Sequence, residues 1–281
     1  MASETKPFRV ACVQMRSGLD RARNTKDAID FIKDAVRAGA KFVATPEMTN
    51  IVDRKGARLL SQLPEESELE EIAAFSAVAA RLGIWLLVGS LALRSGEKAA
   101  NRSFLFSPNG TIAARYDKLH MFDVELEGGE SWKESQIYRA GDRAVVVKTP
   151  LAAFGLSICY DLRFPRLYRA LSQFGAEILC APSAFTLQTG RAHWKTLLTA
   201  RAIENGAFVV APAQGGTHED GRETYGHSMI IGPWGGVLAE ADNDEPGVIL
   251  ADVDPGAAHE VRRRIPNLAL EQYFKISIVK Q

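Results

Sequence analysis

The stretch IWLLVGSLAL (residues 84–93) is apolar without alternation, so neither of its faces can meet water. It reads as a central strand covered on both sides. Immediately downstream, RSFLFS and TIAARYDK flank Asn109-Gly110, a pair of residues suited to the left-handed turn that joins two antiparallel strands. Upstream, FRVACVQM (8–15) and AKFVATPE (40–47) read as strands separated by a helix. That helix is marked by Ala28, Phe31, Ile32, Ala35 and Val36 behind Asn24 as its cap. A second helix is marked by Leu69, Ile72, Phe75, Ala79 and Leu82. Beyond the hairpin come strands around 144–159, a helix from Pro165 to Phe174, a strand 176–182, a helix 191–205 and a strand 207–214. A second hairpin, 228–241, turns at Pro233 to Gly236, and GVILADVD (247–254) is the last strand. Pure β-α alternation would make a doubly wound sheet or a barrel. Two hairpins among the crossovers instead predict an α/β fold with a mixed sheet, or two packed sheets with helices outside. No linker-like stretch, composition shift or internal repeat divides the chain, which reads as one domain over 1–281.

Composition narrows the function classes. A formal net charge of +0 in 281 residues gives no long-range field for nucleic acid or an anionic membrane. The polar start MASETKPFRV and the lack of a long apolar run give neither a signal peptide nor a membrane span, so a cytoplasmic protein is expected. Three cysteines (Cys12, Cys159, Cys180) do not make a disulfide framework. No phosphate-binding or dinucleotide glycine motif is present. The histidines (120, 193, 218, 227, 259) lack metal-ligand spacing, so no metal site is expected.

Three predicted strands end in a side chain capable of chemistry: Glu47 in ATPEMTN, Lys118 in RYDKLHMFD and Cys159 in LSICYDLRFP. Strands that point the same way gather such residues at one edge of a sheet, where α/β proteins place their sites. A carboxylate can take the thiol proton, and an ammonium favours thiolate and can hold an oxyanion. The alternative, from spacing alone, is that Glu47 and Lys118 are solvated charges and Cys159 is core filler. An elbow of the α/β-hydrolase kind is disfavoured, because Ser157 and Asp161 stand where glycines would be needed.

Taken together, these three segments resemble the signature of the nitrilase superfamily of carbon–nitrogen hydrolases, from FRVACVQM to RRRIP. The resemblance implies a four-layer α-β-β-α sandwich and a Glu47-Lys118-Cys159 triad, with Glu134 in SWKES matching a second glutamate that orients Lys118 and the substrate nitrogen. It implies that Cys159 attacks an amide carbonyl, that Lys118 and the Tyr160 backbone N–H hold the oxyanion, and that Glu47 relays the proton. It implies no cofactor, a small-molecule amide as partner, and a homodimer or higher homo-oligomer. KLHMFDVE, CYDLRFP, PSAF, AHW, ARAIE, APAQGG, YGHSM and PWGGV resemble the branch of omega-amidases and deaminated-glutathione amidases. Tyr160-Asp161 stands where nitrilases proper carry Trp-Glu, and Arg166 where the branch usually has Glu. Cys12 and Cys180 are expected to be small core residues.

The expected reaction is therefore hydrolysis, through a cysteine thioester, of an amide bond in a small carboxylate-bearing substrate. Deaminated glutathione comes first and alpha-ketoglutaramate second. Arg163, four residues after the thiol, is the candidate carboxylate reader, with a role bracing the dimer or pairing with Asp161 as the alternative. Phe185 in PSAF is a candidate pocket wall. Two other functions stay open: an N-carbamoyl amidohydrolase of the same superfamily, and a non-catalytic scaffold on this fold.

Overall fold

A computed structural model describes residues 6–129 and 131–279. The first half of the chain runs β1 (Phe8–Gln14), α1 (Arg21–Arg37), β2 (Phe42–Ala44), α2 (Gly56–Gln62), α3 (Glu70–Leu82), β3 (Trp85–Ser95), β4 (Lys98–Phe106) and β5 (Ile112–Asp117). A small ribbon, β6 (Asp123–Glu125) and β7 (Ser131–Lys133), leads to the short α4 (Glu134–Ile137). The second half runs β8 (Val145–Lys148), β9 (Ala153–Leu156), a 3₁₀ turn at Cys159–Arg163, α5 (Pro165–Gln173), β10 (Ile178–Cys180), α6 (Leu187–Asn205) and β11 (Phe208–Ala211). After a second ribbon, β12 (Gly215–Thr217) and β13 (Glu223–Tyr225), come β14 (Met229–Ile231), β15 (Val237–Glu240), β16 (Gly247–Val253) and α7 (Pro255–Arg264).

Two six-stranded sheets result, ordered β16-β1-β2-β3-β4-β5 and β15-β14-β11-β10-β9-β8. Each has three parallel strands at its centre, one antiparallel strand on one edge and an antiparallel hairpin on the other. The two halves thus repeat a topology although their sequences show no repeat.

Period-2 alternation assigns every central strand two buried faces. Val10, Cys12, Phe42, Ala44 and Leu87 of the first sheet share an apolar cluster with Phe154, Leu156, Ile178 and Cys180 of the second. Phe42 and Phe154 stack across the gap with ring centroids 4.4 Å apart. The intervening residues Ala11, Val13, Val43, Leu86 and Val88 instead pack with Ala28, Ile32 and Ala35 of α1 and with Phe75, Val78 and Ala79 of α3. On the far side, Leu167 and Leu171 of α5 and Trp194, Leu198 and Ala202 of α6 join the second sheet. The order helix, sheet, sheet, helix is the four-layer sandwich expected. No helix among the described residues is long and apolar enough to cross a membrane.

Several local expectations shift. The cap of α1 is Asp20, whose side chain accepts from the Arg23 N–H, and Asn24 lies inside the helix. Asn24 is used for tertiary bonding instead, to both backbone atoms of Gly18 and to the Asn50 carbonyl. Helix α6 begins four residues before 191, capped by Thr186. The obstacle to reading this start was Gly190, which is not a breaker but a contact point: a Cβ there would lie 2.2 Å from Cβ of Tyr225. Two further hairpins, β3-β4 and β8-β9, join the two expected. The three reactive strand ends also do not share one sheet: Glu47 and Lys118 follow strands of the first, and Cys159 follows β9 of the second.

Gly89 fixes how closely these ends approach. The ladder between β3 and β4 shifts register between Val88 and Leu91. A Cβ on Gly89 would stand 2.0 Å from the Thr45 carbonyl oxygen, 2.5 Å from Pro182 Cβ and 2.6 Å from the Pro46 carbonyl oxygen. Backbone leading to Glu47 and the Pro182 side chain beyond β10 of the opposite sheet both lean on this one missing side chain. Gly89→Ala should therefore destabilise the protein by about 2 kcal/mol, the usual cost of overpacking, as read by urea unfolding. A neutral substitution would mean that the two sheets can part without strain.

Candidate active site

A few residues beyond the ends of β2 and β9 the chain bends through a left-handed residue. Cys159 itself has φ +50° and Met48, next to Glu47, has φ +56°. Neither is glycine, so each costs on the order of 1 kcal/mol and persists only because its surroundings hold it. At Met48 the holder is Gln214, whose amide donates to the Glu47 carbonyl at 2.9 Å and the Met48 carbonyl at 3.2 Å. Ser90 Oγ accepts from the Met48 N–H at 2.8 Å.

At Cys159 the holder is Asp161, which is fully buried. One carboxylate oxygen accepts from the Ile158 N–H at 2.9 Å and from the Tyr116 hydroxyl at 2.6 Å. The other accepts from the His120 N–H at 3.0 Å and lies 2.7 Å from His120 Nδ1. This rivets the turn bearing the thiol to the end of β5, which bears Lys118. The Cys159 N–H is itself taken by the Pro182 carbonyl at 2.9 Å.

Lys118, Glu47 and Glu134 then meet in the interior. Lys118 Nζ donates to Glu47 Oε1 at 3.0 Å and to both oxygens of Glu134 at 2.8 Å. Asn101 donates to the same Glu47 oxygen at 2.8 Å, and the Ala184 N–H to the other at 2.9 Å. Glu134 is fixed in turn by the Phe122 N–H at 2.6 Å. The Cys159 thiol lines the same cavity as Glu47, close enough for the carboxylate to act on it.

Electrostatics follow from this set. Burial pushes the Cys159 thiol well up, and the Glu47 carboxylate adds to the effect, outweighing the pull of Lys118 toward thiolate. Lys118 alone therefore does not make a resting thiolate. Burial would depress the Lys118 ammonium, but Glu134, Glu47 and Cys159 together hold it well above its ordinary value. Lys118 is a permanent cation and Cys159 a protonated thiol beside a carboxylate. A site of this kind can run acyl transfer only if the proton leaves the sulfur as the sulfur attacks.

All four side chains line a cavity of about 350 Å³. Tyr160, Arg163, Phe185, Tyr138, Trp132 and Arg222 line it too. Arg163 lies 5.3 Å from the Phe185 ring centroid and 5.9 Å from that of Tyr160, with its Nη1 3.3 Å from His193 Nδ1. It does not pair with Asp161, whose partners are those above. Arg166 is exposed and outside the cavity lining. Cys12 and Cys180 are fully buried in the core. Among the described residues, no group of three or more His, Cys, Asp or Glu side chains could hold a metal ion.

Sequence reasoning missed Asn101, Asp161, Gln214, Trp132 and Arg222. Gln214 stood out only as part of APAQGG. The side-chain bonds of Asp161, Asn101 and Gln214 run to residues 41 or more positions away, apart from the local one from the Ile158 N–H, and no local pattern announces them.

A buried thiol and a buried carboxylate, following strands of opposing sheets, share one cavity with a lysine bonded to that carboxylate, on a four-layer sandwich. The family model for carbon-nitrogen hydrolases matches residues 9–263, and the chain belongs to that family. It is 40% identical over 268 residues to a deaminated glutathione amidase of Synechocystis sp., covering 94% of this chain and 97% of the other. It is 34% identical over 259 residues to the human omega-amidase NIT2, covering 92% and 93%. Among solved structures, the C. elegans NitFhit protein superposes with a TM-score of 0.88 at 34% identity, over 95% of this chain and 66% of that longer one.

The rivet at Asp161 can be tested on stability. Asp161→Ala strands the Tyr116 hydroxyl and the Ile158 and His120 N–H groups, and should cost about 3 kcal/mol. Tyr116→Phe, which removes one donor cleanly, should cost about 1 kcal/mol. Equal losses in urea unfolding would show that Asp161 does not tie the two segments together.

Proposed function

We propose that the chain hydrolyses the amide bond of a small carboxylate-bearing substrate through a Cys159 thioester, with deaminated glutathione as first candidate and an omega-amide of a 2-oxo acid as second. The single observation that carries the mechanism is the buried Cys159 thiol facing the same cavity as the Glu47 carboxylate, with Lys118 bonded to that carboxylate. The names of the relatives support the substrates.

Glu47 takes the thiol proton as sulfur attacks the carbonyl carbon. Because the proton only changes owner, the charge of the buried set is conserved and no second charge is desolvated. Lys118 and the Tyr160 N–H stabilise the oxyanion, the Cys159 N–H being already committed to Pro182. Protonated Glu47 then gives its proton to the departing amine, and later activates the water that cleaves the thioester. Glu134 positions Lys118 through both its oxygens. Arg163 binds a substrate carboxylate, and Phe185 forms the apolar wall beside it. The homodimer implied by the resemblance finds support in the exposed apolar side chains Tyr273, Phe274, Ile276 and Ile278 beyond α7.

Cys159→Ala should fold and lose turnover by at least about 10⁴-fold, read as amine release. Glu47→Gln gives a test by sign. If Glu47 were only a neighbouring negative charge, removing it would lower the thiol pKa and speed alkylation by iodoacetamide at neutral pH. As the base, its loss should instead slow alkylation of Cys159 by about tenfold or more. A scaffold without chemistry would show no preference for Cys159 over Cys12 and Cys180 in either protein.

A further inference from the structure

The cavity has a second cationic wall that the hydrolytic set leaves unused. Arg222 lines it from the loop before β13, and its guanidinium carbon lies 4.4 Å from the centroid of the Trp132 ring. Arg54, also lining it, lies 5.6 Å from the same centroid. One carboxylate sets both backbones: Asp220 Oδ2 accepts from the Arg54 N–H at 2.7 Å and Oδ1 from the Arg222 N–H at 2.9 Å. Asp220 thus serves the loop and does not neutralise the guanidinium.

The decisive detail is one atom. Arg222 Nε is buried and has no hydrogen-bond partner, and Arg222 is in no ion pair among the described residues. Arg163 differs, because its guanidinium already meets His193. A buried N–H left unpaired is costly, and a planar guanidinium resting against an indole is pre-shaped for a bidentate carboxylate. An arginine that lines a cavity with an unpaired donor and no anionic partner marks the place where a ligand acceptor belongs.

The two cationic poles sit on different segments. Arg163 is four residues after the nucleophile, in the same turn. Arg54 follows Glu47 through the loop Met48–Asp53, and Arg222 is tied to Arg54 by Asp220. Glu47 is the group that hands a proton to the departing amine in the reading above, and the loop that leaves it carries Arg54, which favours the amine half for this pole.

We propose that Arg222, stacked on Trp132, binds a carboxylate carried by the amine half of the substrate, so that the preferred substrate is an amide with an acid group on each side of the scissile bond. This rests on the amidase reading above. Two probes separate the poles. Deaminated glutathione carries a 2-oxo acid on its acyl half and a terminal carboxylate on its cysteinylglycine half. Alpha-ketoglutaramate carries only the acyl-side acid and releases ammonia.

The experiment compares kcat/KM for both probes in the wild type, Arg222→Met and Arg222→Lys. Methionine keeps apolar contact with Trp132, while lysine keeps the charge but not the fork. With Arg222→Met, kcat/KM for deaminated glutathione should fall about tenfold to a hundredfold more than for alpha-ketoglutaramate, mainly through KM, and Arg222→Lys should recover part of the loss. Equal falls for the two probes would overturn the assignment and leave the amidase reading standing, since a merely structural residue does not sense the amine half. A wild type that hydrolyses neither probe would overturn both.

Discussion

The Lys118 ammonium is the constraint on which the site depends. It is buried, and two carboxylates share it: Glu47 at 3.0 Å and Glu134 at 2.8 Å. A single cation out of water would be costly, and two uncompensated carboxylates more so. Together they form a set with one excess negative charge, in which a thiolate would add a second. Burial first, and that excess negative charge second, push the thiol's pKa up, and in the proposed mechanism Glu47 therefore both accepts the proton and returns it. Removing Lys118 would leave Glu47 and Glu134 to repel each other across the cavity.

The fold exists around that set as two sheets that each deliver strand ends to the same place. β2 and β5 bring Glu47 and Lys118 from one sheet, and β9 brings Cys159 from the other. The segment leading to Glu47 and Pro182 of the opposite sheet can come this close because Gly89 has no side chain. The left-handed turns at Met48 and Cys159 then aim their segments into the gap, held by Gln214 and Asp161. Reactive geometry here is a property of the sheet-to-sheet contact, which no single segment specifies.

Much of this was legible in the sequence, for definite reasons. The unbroken apolar run at 84–93 required two covered faces, and Asn109-Gly110 required a hairpin, so a mixed architecture followed from local physics. Glu47, Lys118 and Cys159 were visible because each is a reactive type at the end of a strand, and the superfamily resemblance joined them. The residue pattern offered a second sheet only as an alternative, since periodicity states that a strand has two buried faces but not what covers them, and the superfamily resemblance supplied it. Gly190 hid the start of α6, and Asp20 was passed over for Asn24, because a cap depends on where the backbone turns. Asn101, Asp161 and Gln214 were illegible as site residues: each acts through bonds to distant backbone or side-chain atoms. Arg222 was hidden in the same way, its meaning lying in a partner it lacks.

The central claim is that one thiol carries the acyl group while one carboxylate carries the proton, and the intermediate can be weighed. Rapid acid quench of wild-type enzyme with deaminated glutathione, followed by intact-mass and peptide mapping, should show the 2-oxoglutaryl group on Cys159 and on neither Cys12 nor Cys180. The adduct should be cleaved by hydroxylamine, and cysteinylglycine should appear in a burst matching its amount if thioester hydrolysis limits turnover. Adduct on Cys159 with hydroxamate as trapped product is the predicted result. Steady hydrolysis by a Cys159→Ala enzyme, or hydroxylamine diverting none of the flux with no adduct on Cys159, would contradict the account.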